Sequence, residues 1–321
     1  MSDLPKMVRI NEEGPREGFQ FEKGAIATAR KIELIDSLSQ TGLKQIQVAS
    51  FVNPKAVPGM ADADEVVARF KRVPDVRYTA LWLNEKGLQR AVTSGRLDIS
   101  GQLALTASEI FLKRNQNRTA AEDLAAEKSL AKVYKSYGLP VDKISIRAAF
   151  GCNFEGEVSP RTVTRLIGEL LAVAREEGHS IRVISLADTM AWATPASVKR
   201  VVGAVREAYP ELAIALHLHD TRGMGIANAY AGLEMGVTIF DSSVAGLGGC
   251  PFAAHAGAAG NVCTEDLVFM CEEMGIATGV DLEKLIESAR LAEAVVGHAL
   301  PGSVMHGGSL AQLRSRIQKG A

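Results

Sequence analysis

The strongest constraint on the fold is a regular alternation of short β-rich runs with longer amphipathic runs. Runs such as KISIRAAF and IRVISLAD are typical of short strands, and each strand candidate is followed by a helical segment. The predicted strands lie at residues 7–10, 43–51, 76–83, 97–106, 143–150, 181–188, 211–220 and 237–246. Eight β-then-α units without a linker-like change in composition favour a single (β/α)8 TIM barrel over a doubly wound sheet.

The remainder of the chain is predicted to be helical. We place the catalytic barrel at residues 1–285 and a C-terminal helical extension, packed on the barrel, at residues 286–321. The extension contains two predicted helices joined by the Gly/Pro-rich segment ALPGSVMHGG.

Composition excludes several classes of function. The formal net charge is −1 and Lys and Arg are not clustered, so we expect no nucleic-acid partner. We also expect no membrane association, because no apolar run is long enough to span a bilayer and the N-terminal residues lack an apolar signal segment. The cysteines have neither CxxC spacing nor the density of a disulfide scaffold, which predicts a reducing, cytoplasmic setting; they are Cys152, Cys250, Cys263 and Cys271.

The predicted barrel also predicts where the active site lies. In such barrels the active site is built on the loops that follow the carboxyl ends of the strands. The unusual polar residues of this chain fall at those positions: Arg16, Glu17, Gln47, Ser50, Thr106, Ser108, Glu109, Asp188, Thr189, His217 and His219. Their clustering at one end of the barrel indicates a functional site there.

The segment HLHDTRG ends the seventh predicted strand. Successive side chains of a strand alternate between its faces, so His217 and His219 point the same way, with Asp220 next to them. Two imidazoles on one rigid strand are suitable ligands for a divalent metal ion. The alternative is a pair of core histidines bonded to backbone carbonyls.

The segment EEGPREGFQ follows the first predicted strand. Its Gly14, Pro15 and Gly18 predict a tightly turned loop around Arg16 and Glu17. An exposed turn with a solvated ion pair is one interpretation. At the barrel mouth, Glu17 could instead supply a hard oxygen ligand, and Arg16 could neutralise negative charge that develops on a substrate.

A glycine-rich segment, GLGGCPFAAHAGAAGN, follows the eighth predicted strand. Mobile glycine-rich loops commonly act as lids over active sites. Cys250 in this segment could exchange a proton with a substrate, or it could be a small buried apolar residue. Asn261 could give its amide oxygen to a metal or cap the helix that begins near residue 264.

Several motifs together resemble the 3-hydroxy-3-methylglutaryl-CoA lyase family. They are GPREGFQ, SFVNPKAVPGM, TASEIFLKRN, GCNFEGEVSP, HLHD and DSSVAGLGGCPFA with a downstream GN and TEDL. They run in order from about residue 7 to residue 285, in register with the eight units. The family is one branch of a metal-dependent barrel superfamily that also contains acyl-CoA condensing synthases.

The resemblance implies a function and a set of roles. It implies cleavage of a 3-hydroxyacyl-CoA thioester to acetyl-CoA and a ketone or keto acid, with a methylglutaryl-like or citramalyl-like acyl group. The implied metal is Mg²⁺ or Mn²⁺, with Zn²⁺ possible, held by Glu17, His217, His219 and Asn261. Arg16 would stabilise the enolate, Cys250 would handle a proton, Asp188 would orient the site, and Glu17 could also act as a base. Candidate substrate-binding residues are Gln20, Gln47, Ser50, Thr189 and Trp192, and we expect a homodimer.

The chain also departs from the family pattern. The lyases typically have RDG where this chain has Arg16-Glu17-Gly18, and a Glu where it has Gln47. Trp192 stands where the family favours small residues, and the segment between Cys250 and Asn261 is longer than expected and includes a histidine. A longer carboxylate still binds hard cations, so these changes favour retained chemistry with a different acyl group.

Two other functions are compatible with these motifs. The first is a synthase or aldolase that condenses acetyl-CoA with a 2-keto acid, although such enzymes often have a larger C-terminal domain. The second is a non-catalytic ligand-binding barrel in which the changes at Glu17 and Gln47 have disabled the site.

Overall fold

The computed structural model describes residues 4–22, 24–249 and 260–320. One curled sheet contains eight parallel strands, which confirms the predicted (β/α)8 barrel. These strands are β1 (Arg9–Glu12), β2 (Gln45–Phe51), β3 (Arg77–Trp82), β4 (Gly101–Thr106), β5 (Val141–Arg147), β8 (Val183–Ala187), β9 (Ala213–His217) and β10 (Ile239–Ser242). A separate antiparallel hairpin is formed by β6 (Gly151–Cys152) and β7 (Gly156–Glu157).

Strand order brings the two ends of the barrel sequence together. The order is β3-β2-β1-β10-β9-β8-β5-β4, so the first and last barrel strands, β1 and β10, are paired. The register of β1 with β10 places Asn11 beside Asp241, and the register of β10 with β9 places Asp241 beside His217. Side chains of β1, β9 and β10 therefore meet in one layer inside the barrel.

The described residues contain thirteen α-helices. They are α1 (Gly14–Phe21), α2 (Thr28–Leu38), α3 (Ala63–Arg69), α4 (Glu85–Thr93), α5 (Glu109–Gln116), α6 (Ala120–Ser136), α7 (Pro160–Glu176), α8 (Pro195–Ala208), α9 (Gly225–Glu234), α10 (Thr264–Glu273), α11 (Leu282–Val296), α12 (Val304–Gly307) and α13 (Leu310–Gln318). The boundary placed at residue 285 lies within α11, which packs against α2 and α10. The division into barrel and extension therefore stays a prediction.

Alternation along the strands separates an apolar outer layer from a polar interior. On β5, Ile144 and Ile146 are fully buried in the hydrophobic core between sheet and helices. The alternate residues Lys143, Ser145 and Arg147 point inward. Burial of the outer apolar layer stabilises the barrel, and the inward-facing residues of β5 are polar.

A cavity of about 710 Å³ lies inside the barrel between β3 and β4. Its lining includes Glu13, Gln47, Thr79, Gln102 and Lys143. Since Glu13 directly follows β1, the cavity reaches the carboxyl end of this strand.

The segment after β1 is a helix, and the predicted turn is wrong. Glu13 is the N-cap of α1, and its carbonyl oxygen accepts hydrogen bonds from the backbone N–H groups of Arg16, at 3.1 Å, and Glu17, at 2.7 Å. A Cβ on Gly18 would lie 2.8 Å from Cβ of Leu247, so glycine is required for the close packing of α1 on this residue. Tertiary packing therefore overrides the low helix propensity of glycine here.

Across the described residues, none of the helices combines the length and apolar character needed to cross a membrane.

Candidate metal and acyl-CoA site

Three potential metal ligands meet at the carboxyl end of the barrel. They are Glu17, His217 and His219, whose ligand atoms lie within 4.8 Å of one another. Nε2 of His217 is 3.6 Å from Oε2 of Glu17, and Nε2 of His219 is 3.4 Å from Oε1 of the same carboxylate. The predicted convergence of the two histidines with Glu17 is present in the structure.

Asn261 joins this cluster. An antiparallel bridge between His219 and Asn261 places them side by side, and Nδ2 of Asn261 donates to Oε2 of Glu17 over 3.2 Å. Helix α10 begins at Thr264 with Cys263 as its N-cap, so the alternative in which Asn261 caps this helix is excluded. Among the described residues, Oδ1 of Asn261 is buried without a hydrogen-bond partner. This side chain therefore has an amide oxygen available for a cation.

His217 is oriented by a network inside the barrel. Its Nδ1 lies 3.4 Å from Oδ2 of Asp241, and Asp241 accepts a 2.8 Å hydrogen bond from Nδ2 of Asn11. Lys143 Nζ is 3.6 Å from Oδ2 of Asp241. A carboxylate on the second imidazole nitrogen fixes the tautomer and directs the other nitrogen toward a metal. Sequence reasoning assigned no role to Asp241.

Arg16 lies beside the cluster and is fixed by three side chains. Its Nη2 is 2.8 Å from Oε2 of Glu13 and 3.0 Å from Oε2 of Glu17. Its Nε donates to Oε1 of Gln47. The guanidinium group is thereby fixed next to the potential metal ligands, where it can stabilise negative charge on a bound molecule.

The site carries strongly perturbed ionisation. Burial raises the pKa of Glu17, but the adjacent Arg16 and His217 outweigh it and hold this pKa well below its ordinary value. Burial lowers the pKa of His217, yet Glu17 and Asp241 raise it to about 10. Without a cation, a proton on His217 therefore balances the carboxylates. A bound cation would supply that positive charge instead.

The donor set fits a divalent cation. Metal–ligand distances of about 2.1 Å place neighbouring ligand atoms about 3 Å apart. Here the two carboxylate oxygens of Glu17 lie 3.4 and 3.6 Å from the Nε2 atoms of His219 and His217, so these pairs require only a small contraction. Two imidazoles with carboxylate and amide oxygens suit Mg²⁺, Mn²⁺ or Zn²⁺. A divalent metal site is therefore compatible with these four side chains.

Asp188 lies at the end of β8, next to the histidines. Its Oδ1 accepts backbone hydrogen bonds from Trp192, at 2.7 Å, and Ala193, at 3.0 Å. Its Oδ2 is buried and has no partner among the described residues. Burial raises its pKa to about 6, although His219 and His217 oppose this shift. Asp188 therefore fixes the turn that carries Trp192 and can hold a proton near neutral pH.

Thr189 and Trp192 contact neighbouring loops. Thr189 Oγ1 accepts a 2.9 Å hydrogen bond from the backbone N–H of Ala148. Nε1 of Trp192 donates to Oδ1 of Asn153 over 2.7 Å, and its ring lies against Gly151 of the β6–β7 hairpin. The contribution of these residues to substrate binding stays a prediction.

Gln20 and Ser50 offer unused polar atoms. Oε1 of Gln20 and Oγ of Ser50 are buried and have no hydrogen-bond partner among the described residues. Gln20 lies on α1, about one turn beyond Glu17, and Ser50 lies near the end of β2. Buried polar atoms without partners are expected where a ligand or water completes the bonding.

Residues that follow β4 have mainly structural partners. Ser108 caps α5, where its Oγ accepts from the backbone N–H of Phe111, and it also contacts Cys152 and Glu155. These contacts fasten the start of α5 to the β6–β7 hairpin and do not reach the metal ligands.

Cys250 lies outside the described residues. Gly248 and Gly260, which lie on either side of residues 250–259 in the sequence, pack backbone against backbone, because a Cβ on Gly260 would be 2.7 Å from the carbonyl carbon of Gly248. A Cβ on Gly248 would lie 3.6 Å from Cγ of Glu17, so Gly248 is close to this ligand. The segment therefore begins and ends beside the candidate metal site.

Comparison with known proteins identifies the family. The family model HMGL-like matches residues 7–292. Hydroxymethylglutaryl-CoA lyase of Homo sapiens, a mitochondrial protein, is 42% identical over 288 residues, which cover 90% of this chain and 85% of that protein. The chain belongs to the HMGL-like family. The resemblance inferred from the motifs is therefore confirmed.

Solved structures of HMG-CoA lyases are similar to this HMGL-like chain over almost their whole length. The lyase of Pseudomonas aeruginosa has a TM-score of 0.86 and 38% identity, covering 97% of this chain and 99% of that chain. An HMG-CoA lyase of Acinetobacter baumannii, in complex with coenzyme A and 3-methylmalate, has a TM-score of 0.84 and 38% identity over 96% of this chain and 97% of that chain.

Sequence reasoning missed the residues behind the ligands of this HMGL-like site. Asn11, Glu13, Lys143 and Asp241 all lie inside the barrel and contact His217, Asp241 or Arg16. The alternation of side chains along a strand could have revealed them. Asn11 lies in β1 and Glu13 directly follows it, so the two side chains share one face, where a core strand would have apolar residues.

Proposed function

We propose that this chain is a divalent-metal-dependent carbon–carbon lyase that cleaves a 3-hydroxyacyl-CoA to acetyl-CoA and a ketone or keto acid. The observation that carries the proposal is the cluster of Glu17, His217, His219 and Asn261 with Arg16 beside it, in a chain of the HMGL-like family. Relatives at 42% identity are hydroxymethylglutaryl-CoA lyases, which supports this reaction class over condensation.

The four clustered side chains would hold the metal, with Mg²⁺ or Mn²⁺ as the first candidates and Zn²⁺ as a further one. Such an ion acts as a Lewis acid on the oxygen atoms of a substrate and lowers the pKa of its hydroxyl group. The low pKa of Glu17 favours its role as a ligand over its alternative role as a base. Asp188 is the better candidate to accept the hydroxyl proton, because its pKa is about 6 and its Oδ2 has no partner in the described part of the chain.

Bond cleavage then requires stabilisation of an anion. Loss of the 3-hydroxyl proton turns C3 into a carbonyl carbon, the C2–C3 bond breaks, and its electron pair passes to the thioester as the enolate of acetyl-CoA. Arg16 would stabilise this enolate, because a fixed cation in a desolvated site is most effective where charge develops. A proton donated to C2, which we assign to Cys250, completes acetyl-CoA.

The substrate is proposed to be an acyl-CoA thioester. One similar lyase has been solved with coenzyme A and the small dicarboxylate 3-methylmalate. Gln20, Ser50, Thr189 and Trp192 are candidates for contacts with the acyl group, and Gln47 acts on it through Arg16. We also propose a homodimer and a cytoplasmic location, the latter because Cys152, Cys263 and Cys271 are free thiols in the described structure.

A panel of 3-hydroxyacyl-CoA thioesters, including the methylglutaryl and citramalyl thioesters, tests the function. Acetyl-CoA release is measured with Mg²⁺ or Mn²⁺, and Cys250→Ser is compared with Cys152→Ser as a buried-cysteine control. Metal-dependent release that falls only in Cys250→Ser supports the proposal. If metal-loaded protein releases no acetyl-CoA from the panel but releases free thiol from acetyl-CoA and a 2-keto acid, the chain is a synthase.

A further inference from the structure

The contacts of Arg16 suggest that one residue has a role that the proposed function does not explain. The guanidinium group touches two carboxylates, Glu13 and Glu17, and one neutral oxygen acceptor, Gln47. These partners come from the end of β1, from α1 and from β2. The side chain of Arg16 is only 13% exposed, so little water is available to replace a lost partner.

The two carboxylates differ in what else they contact. Glu17 also faces His217, His219 and Asn261, so its charge is directed at the cation site. A carboxylate that coordinates a cation shares its negative charge between that cation and a neighbouring guanidinium group. Among the described residues, Glu13 is then the carboxylate that stays with Arg16, which is always protonated.

Glu13 is well placed to hold Arg16 in position. Its backbone N–H donates to the carbonyl oxygen of Ser242 over 2.8 Å, and its own carbonyl oxygen begins the hydrogen bonding of α1. Its side chain makes no capping hydrogen bond to α1 and instead turns to Nη2 of Arg16. The Glu13 side chain is 5% exposed, and although this burial raises the pKa of its carboxyl group, the adjacent Arg16 opposes the shift and favours the charged form. A buried charge-assisted hydrogen bond from a fixed backbone restricts the guanidinium group to one orientation.

We propose that Glu13 is the positioning residue of Arg16, and that it supplies the negative charge which the neutral Gln47 does not. This inference rests on the proposed function for the role of Arg16. Nε and Nη2 form one edge of the guanidinium group, and Gln47, Glu13 and Glu17 all bind at that edge. Nη1 is not part of this edge, and it is the nitrogen that we assign to the developing charge of the substrate. A glutamate at position 47 could therefore supply the negative charge to this edge of the Arg16 guanidinium group if Glu13 were replaced.

The test relocates the charge. Glu13→Gln keeps the size of the side chain and the backbone cap of α1, but removes the charge. We expect kcat to fall roughly tenfold or more, with KM little changed, because a charge-assisted hydrogen bond that orients a transition-state contact is lost. In the double variant Glu13→Gln/Gln47→Glu we expect most of the lost kcat to return. Glu22→Gln removes a carboxylate that contacts His298 at the other end of α1, and should retain parental kcat.

Two readouts do not depend on turnover. The ¹⁵Nη–Hη NMR signals of Arg16, whose Nη2 donates to Glu13, should exchange slowly in the parent, broaden in Glu13→Gln and sharpen again in the double variant. Mn²⁺ affinity, measured by calorimetry, should change much less than kcat in Glu13→Gln. A purely structural role would lower the melting temperature and would not be relieved by Gln47→Glu.

Parental kcat in Glu13→Gln would overturn the proposal, as would a loss of kcat that the double variant does not relieve while metal binding and melting temperature are retained. If the parent cleaves none of the thioesters, the proposed function fails, and the NMR signal decides the positioning role separately. An unchanged Arg16 signal in Glu13→Gln would then overturn it.

Discussion

Asp241→Asn should weaken metal binding although residue 241 does not contact the metal. Oδ2 of Asp241 lies 3.4 Å from Nδ1 of His217 and 3.6 Å from Nζ of Lys143. The amide has nearly the same volume but no charge. His217 would lose the partner that fixes its tautomer, and the half-buried Lys143 would lose its counter-ion.

The size of the effect follows from this arrangement. Loss of a carboxylate behind a ligating histidine typically raises the metal dissociation constant roughly 10- to 100-fold. This range corresponds to about 1.4 to 2.7 kcal/mol of binding free energy. We expect the upper half of it, because Asp241 is only 5% exposed and water cannot replace the carboxylate.

Mn²⁺ calorimetry at constant pH measures this change. Asp142→Asn is the matched control, since it removes one negative charge from the lining of the barrel cavity without a contact to His217. The control should bind Mn²⁺ as the parent does. Parental affinity in a folded Asp241→Asn protein would refute the role assigned to this carboxylate.

Other outcomes test packing, ionisation and the ligand set. Burial raises the pKa of Glu12 from 4.5 to about 7, so between these pH values the folded state holds a proton that the unfolded state has lost. The unfolding free energy should therefore fall as pH rises through this window in urea titrations with EDTA, and less steeply in Glu12→Gln; parallel curves would contradict the assignment. Gly18→Ala forces a Cβ to 2.8 Å from a leucine and should cost roughly 1–3 kcal/mol in thermal denaturation, whereas Gly24→Ala, with no atom within 4 Å, should be neutral. His219→Ala should abolish stoichiometric metal in elemental analysis and His306→Ala should not; retained metal in the former would exclude His219 as a ligand.

The fold was largely predictable, and the exceptions have a physical explanation. Apolar strands alternating with amphipathic helices indicated the barrel, since this pattern is local and has a fixed period. Helix α1 was not predictable, because Gly14 and Gly18 favour a turn by propensity. Its formation depends on the backbone of Glu13 and on close packing against Leu247, a residue distant in sequence.

The site was predictable in part. His217 and His219 share a face of one strand, and this relation follows from the period of two alone. The supporting residues depend on register between strands. Asp241 meets His217 because β9 and β10 pair at these residues, and Asn11 meets Asp241 through the pairing of β1 with β10.

Arg16 illustrates what each level determines. The sequence by itself determined a barrel with Arg16, Glu17 and two histidines at strand ends, because side-chain periodicity and the succession of elements along the chain are local properties. Only the tertiary structure decided how Arg16 is held, because Gln47 comes from β2, and because Glu13 and Glu17 face Arg16 only when α1 has formed. Ionic partners in a buried site are chosen by distance in space, and this distance is fixed only when the strands are paired and α1 is packed.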